Sequence, residues 1–267
     1  MTWTRFSART GPTPPWKQPA PPHSIPLLSL SQLSLDGTPV LIRGGGGHQE
    51  KPRRPGPSPD GKPRPNGYAT SGTDLTMLNL LGMDITMAYE VIRLRRKGFT
   101  AQVFDPCEPV SDETLVFDVS TPAAIMAAST ASPRFKAVLE HLGSCDVAPN
   151  FPGFDVMTLA PGNSIWPERM IELKSSGVQA RIQEMTWNEW KTAQHSQVRP
   201  YFYLYLVGNL RADLPNAPPF IRTVHDPFAN LWNTTTTTET TVRRTVQLNT
   251  QEFDAAEELT LGVFPET

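Results

Sequence analysis

Three residues able to do chemistry together lie close in the chain. Asp155 sits in Pro152-Gly153-Phe154-Asp155-Val156, and Glu172 and Lys174 sit in Arg169-Met170-Ile171-Glu172-Leu173-Lys174-Ser175-Ser176. Apolar residues cluster around isolated charges in both runs, and turn residues bound them, so each reads as a strand. Side chains alternate along a strand, so Glu172 and Lys174 share one face while Ile171 and Leu173 take the other. The connector from Pro161-Gly162-Asn163-Ser164 to Trp166-Pro167-Glu168 has turn composition. If the runs pair as a hairpin, Asp155 meets the Glu172/Lys174 face. Two carboxylates and an amine in one small site repel and desolvate one another unless a cation or a phosphate resolves the charge. Taken as a bare motif, the same residues also describe a turn aspartate beside a solvated Glu–Lys pair.

The elements that must position these residues are legible on both sides. Thr73-Asp74 is a fair N-cap. Leu75, Leu78, Leu81, Ile85, Ala88, Ile92 and Leu94 then recur at roughly helical spacing, with Gly82 a point where the run can divide into two helices. Arg95-Arg96-Lys97-Gly98 closes it with cations and a glycine, as helix C-termini favour. Thr114 to Val119 reads as a strand, and Pro122–Met126 and Ser132–Gly143 as helices. The second of these has Ser at the N-cap, Pro at N1 and Gly at its end. His141 reads as a helix-end cation. Downstream, Thr186-Trp187-Asn188-Glu189 matches a capping box, which gives Glu189 a structural role at the start of a helix running to about Ser196. Tyr201 to Val207 reads as a strand rich in aromatics. Trp187, Trp190 and the tyrosines read as core ahead of base-stacking surfaces. A short closing segment runs from Ile221 to Trp232, and from Asn233 the polar, threonine-rich chain is expected to have little order.

The chain of 267 residues is long enough for one domain with tails. Of its 28 prolines, 14 precede Tyr68, and residues 1–67 read as a linker. Gly44-Gly45-Gly46-Gly47 is flexible, and Lys51 to Pro65 is extended and basic. An apolar patch between Ile25 and Ile42 suits a short strand or a partner contact. Residues 1–67 hold nine Lys/Arg against three Asp/Glu, residues 68–152 six against ten, residues 153–232 seven against seven, and residues 233–267 two against six. A basic arm of that kind suits phosphate backbones, whereas the balanced core does not bind DNA strongly by charge alone. No apolar run approaches the ~20 residues of a membrane span. The start, Met1-Thr2-Trp3-Thr4-Arg5, lacks a secretory layout. Cys107 and Cys145 form no disulfide framework or zinc motif. A reducing, cytoplasmic setting is expected.

The lone Asp155 followed by Glu172-Leu173-Lys174 resembles the PD-(D/E)xK nucleases. Four blocks in order narrow the likeness: Phe154-Asp155-Val156, then Ile171 to Ser176, then Thr186-Trp187-Asn188-Glu189-Trp190-Lys191-Thr192-Ala193, then Tyr201 to Val207. This order is similar to the NO VEIN C-terminal domain family. The resemblance covers roughly residues 74–232 and is strongest from 151 to 210. Gly153-Phe154 stands where the family has Gly-Tyr, and Pro152 lies three positions before Asp155. The resemblance implies an α/β restriction-endonuclease-like core, a central mixed sheet flanked by helices, over residues 68–232 between disordered tails; residues 99–150 fit the family pattern least well and read as an elaborated insertion or edge. It implies Asp155, Glu172 and the Leu173 carbonyl as ligands of Mg²⁺, for which Mn²⁺ can substitute, and Lys174 as the group that orients water and offsets phosphate charge. Glu90, Ser175 and Gln183 are possible accessory residues. The implied activity is hydrolysis of DNA phosphodiester bonds, in a restriction or anti-phage defence setting with a helicase or ATPase partner. The alternative is a non-catalytic nucleic-acid-binding or protein-docking module on the same fold.

Overall fold

The computed structural model describes residues 27–30, 33–35, 40–42, 75–162, 164–179, 182–214, 216–231, 236–239, 244–249 and 256–263. The Thr73-Asp74 cap, the Gly44–Gly47 run, the basic arm and Asn163 of the connector lie outside them. In chain order the elements are β1 (Leu33–Ser34), β2 (Val40–Ile42), α1 (Leu75–Arg96), β3 (Gln102–Val103), β4 (Thr114–Asp118), α2 (Pro122–Ala131) and α3 (Pro133–Gly143). Then come β5 (Val156–Leu159), β6 (Pro167–Ser175), β7 (Ile182–Thr186), α4 (Trp187–Gln194), β8 (Phe202–Gly208), β9 (Phe220–His225) and α5 (Pro227–Leu231). The last strands are β10 (Thr236–Glu239), β11 (Arg244–Asn249), β12 (Ala256–Thr260) and β13 (Gly262–Val263).

Eight strands form a central mixed sheet in the order β2-β12-β9-β8-β6-β5-β4-β3. At its centre β5 and β6 pair antiparallel, the hairpin expected from the sequence, with Val156 opposite Ile171. β6 then runs parallel to β8. A parallel pair needs a crossover, and β7 with α4 provides it. β7 itself joins a second, three-stranded sheet, β10-β11-β7. The register sorts side chains onto two faces. Arg169, Ile171, Leu173 and Ser175 of β6 share the side of Tyr203 and Tyr205 of β8, and α1 covers it. Met170, Glu172 and Lys174 share the opposite side, where α4 lies.

Residues 99–150 extend the core: β4 pairs with β5, Val116 and Phe117 are fully buried, and Phe117 packs on Phe135 of α3 at 4.7 Å between ring centroids. Burying one such phenylalanine contributes roughly 1.5–3 kcal/mol, so this region is part of the core. Beyond Asn233, β12 joins the central sheet beside β9, tied by an Arg222–Glu258 ion pair at 2.5 Å. The N-terminal apolar patch does supply short strands, β1 on β13 and β2 on β12.

α1 is one continuous helix through Gly82. A Cβ at Gly82 would lie 1.8 Å from the Ser175 hydroxyl and 2.9 Å from its Cβ, so glycine lets the helix touch β6 directly. Its 22 residues make α1 the one helix, among the described residues, long and apolar enough by length and composition to cross a membrane. In this fold its Leu78, Ile85, Tyr89 and Leu94 are buried.

Candidate functional site

The chain folds back on itself at Asp155. Its N–H donates to the Ile171 carbonyl at 2.8 Å, and its Oδ2 accepts from the Leu173 N–H at 2.9 Å. The carboxylate thus takes the place that the next strand carbonyl would occupy in the β5–β6 ladder. A residue's N–H and C=O point to the same edge of an extended strand, so the Leu173 carbonyl faces the Asp155 side too. Gly153 shapes the approach from below. It has φ +79, and a Cβ there would meet Thr192 Oγ1 at 2.7 Å, the Asn188 carbonyl at 2.9 Å and Glu189 Cα at 3.2 Å. A left-handed glycine is what lets this loop press against α4.

Lys174 Nζ lies 2.5 Å from Glu172 Oε1 and 2.7 Å from Glu189 Oε2. Glu189 also closes the expected capping box. Its Oε2 accepts from the Thr186 N–H at 2.8 Å, and its own N–H donates to Thr186 Oγ1 at 3.3 Å. The side chain of Glu172 is 3% exposed, against 17% for both Lys174 and Glu189, so the mouth of the site lies on the Lys174–Glu189 side.

The charges do not balance, and the proton affinities show it. Burial pushes the Asp155 carboxyl up to about 6; the Leu173 N–H and Lys174 oppose this, while Glu189 and Asp118 add to it. Glu172 is pushed well above the usual carboxylate range by burial first, then by Asp155 and Glu189, with Lys174 pulling the other way. For Lys174, burial favours the neutral amine, but the flanking Glu172 and Glu189 outweigh it and raise its pKa. Burial would also raise Glu189, yet Lys174, a hydrogen bond with Glu172 and the Thr186 amide hold it below the usual range. The two acids on Lys174 are therefore shifted in opposite directions. Glu172 is the deeper of the two, and burial is the first cause of its upward shift.

Asp155, Glu172, Lys174 and the backbone of Leu173 thus come together. None of the three proposed accessory residues is hydrogen-bonded to them. Glu90 lies on the other side of the sheet, fully buried, where it receives hydrogen bonds from Arg93 Nε at 3.0 Å, Arg93 Nη2 at 2.6 Å and the Tyr205 hydroxyl at 2.5 Å. The i+3 arginine holds it on its helix and Tyr205 of β8 caps it, so it faces neither solvent nor Asp155. Ser175 alternates away from Lys174 and points at Gly82, with no hydrogen-bond partner for its buried hydroxyl among the described residues. Gln183 is half-buried on β7, on the same face as Met185, and no hydrogen bond joins it to the three residues. Conversely, Glu189 reads from sequence as a cap ahead of any catalytic role, and Asp118 carries no expected role. Asp118 pairs with Val156 at the end of β4, and its charge, after burial, raises the pKa of Asp84 on α1. Nothing local in Trp187-Asn188-Glu189 marks a partner 15 residues upstream. As expected, Trp190 is core, packed on Phe228, and His141 closes α3 with its ring edge against Trp166.

The residues present fit a hard dication. Two carboxylates whose ionised forms are disfavoured by burial, that of Glu172 also by Asp155, with a backbone carbonyl on the same edge, are oxygen donors of the kind Mg²⁺ takes. Among the described residues no three His, Cys, Asp or Glu side chains are gathered as a metal cluster. Here the third donor would be a main-chain oxygen. No family model matches the sequence, and neither the curated proteins nor the solved structures hold a significant match.

Proposed function

We propose that the chain is a metal-dependent nuclease domain of the PD-(D/E)xK type that hydrolyses phosphodiester bonds of DNA. The observation that carries this reading is the excess of acid at the site: Asp155, Glu172 and Glu189 share the single ammonium of Lys174. Perturbed acids of this kind cluster at functional sites. Asp155, Glu172 and the Leu173 carbonyl would hold Mg²⁺ or Mn²⁺, which when bound supplies Lewis acidity and a water of lowered pKa. The chain's own residues do the rest. The Leu173 N–H fixes Asp155 Oδ2 and leaves the other oxygen to turn toward the ligand. Lys174, at the mouth, offsets charge gathering on the phosphate and hydrogen-bonds the attacking water. Residues 153–232 balance seven cations against seven anions, so DNA loading falls to a helicase or ATPase partner in a reducing, cytoplasmic setting.

Plasmid nicking in Mg²⁺ by wild type and Lys174→Ala tests this. The wild type cleaves, and the variant loses about a hundredfold or more of the rate. Equal cleavage by both refutes the role of Lys174. The second reading, a non-catalytic binding or docking module, is favoured by the lack of a three-side-chain metal cluster among the described residues. Absence of cleavage with the partner present, together with no Mn²⁺ uptake in calorimetry, would decide for it.

A further inference from the structure

We infer that Glu189 is a positioning residue: it holds the Lys174 ammonium so that the Glu172 carboxylate is free to serve as an ion ligand. This rests on the cation site proposed above. Glu172 has no exit, since its side chain is 3% exposed and Lys174 Nζ sits 2.5 Å from its Oε1. An ammonium with no other partner would stay on Glu172 and compete with the ion for it. Glu189 offers that other partner at 2.7 Å.

Glu189 is also anchored without any help from Lys174. Its Oε2 takes the Thr186 N–H, its N–H gives to Thr186 Oγ1, and its Cα backs onto Gly153. A carboxylate in the first turn is favoured by the helix dipole as well. Lys174 therefore has one partner locked in place and one that an ion would claim. The arrangement divides labour between two acids that the chain sets only 17 positions apart: Glu172 for the ion, Glu189 for the amine.

The capping box accepts Gln as well as Glu at this position. Glu189→Gln therefore keeps the Thr186 amide capped and removes only the charge, and a melting temperature close to wild type verifies the fold. Mn²⁺ affinity is then measured by calorimetry, at one pH, for wild type, Glu189→Gln, Lys174→Met and the double variant. Glu189→Gln is expected to weaken Mn²⁺ binding about tenfold when Lys174 is present, and by less than about threefold when Met replaces it. Equal weakening in both backgrounds would make Glu189 merely one more negative charge near the ion, and no weakening in either would make it only a cap. Either result overturns the inference while leaving the cation site standing. Wild-type protein that takes up no Mn²⁺ overturns the cation site, and the inference with it.

Discussion

Strand β6 carries a buried ionic cluster on each face, and the two are built to opposite rules. On the α1 side, Glu90 and Glu168 are matched by Arg93, Arg169 and Lys97, with the Tyr205 hydroxyl completing the set. Arg169 also stacks over the Tyr203 ring at 4.1 Å. Burial alone would weaken the charge on both guanidiniums, but for Arg93 the Glu90 carboxylate, and for Arg169 Tyr205 together with Glu90, hold them more firmly protonated. On the α4 side, three acids face one amine, and burial raises the proton affinity of two of them, Asp155 and Glu172. On the α1 side two acids meet three cations, so no carboxylate there is left to recruit a cation. The α4 side, short of cations, has such carboxylates.

The contrast can be broken by experiment. The largest effect is expected from Glu172→Gln, which should lower DNA cleavage by two to four orders of magnitude, roughly what a lost ligand or general base costs. Thermal stability should hold or rise, because a buried acid disappears; a large loss of stability would place Glu172 with the structural cluster. On the other face, Arg169→Met should cost about 1–3 kcal/mol in urea unfolding, since the buried Tyr205 hydroxyl loses a charged donor while Glu90 keeps Arg93. Mn²⁺ affinity of the folded protein should not change.

The third expectation concerns pH. In the folded state Asp155 binds its proton more tightly than in the unfolded chain, with a pKa of about 6 against 3.8. That contribution to stability is complete below about pH 4 and is lost as pH rises through about 6, an effect of roughly 3 kcal/mol. Subtracting the Asp155→Asn profile from wild type isolates it, and saturating Mn²⁺ should abolish the decline. A flat difference would mean that Asp155 is not held in a proton-rich site. Smaller again, Tyr205→Phe should cost about 1–2 kcal/mol for the lost hydrogen bonds to Glu90 and Arg169, with cleavage intact. Smallest is Ser175→Ala, expected within about 1 kcal/mol of wild type, because the hydroxyl has no hydrogen-bond partner among the described residues.

The sequence disclosed what depends on local period and spacing. The β5–β6 hairpin, the shared face of Glu172 and Lys174, the Ser132–Pro133 start of α3 and the Thr186–Glu189 box all follow from residues within one or two turns of chain. Long-range pairing was hidden. β4 spans five residues, and its place beside β5 depends on Val116 meeting Thr158. β12 is a polar strand, and only Leu259 and its neighbours on β9 bring it into the sheet. Glu90 sits correctly on its helix, but which side of the sheet α1 covers is decided by Gly82 against Ser175 and Tyr89 against Tyr205. Gly82 reads as a helix breaker from propensity, and tertiary contact overrides it.

Gly153 carries a practical consequence. Backbone meets backbone there, so the loop that delivers Asp155 and the helix that delivers Glu189 share a single bearing surface. One added methyl would act as a wedge, prising the aspartate from the amine's anchor while touching neither. Random mutagenesis should therefore find inactive variants at a position with no functional group at all, and the remedy for them should lie across the contact, in trimming Thr192.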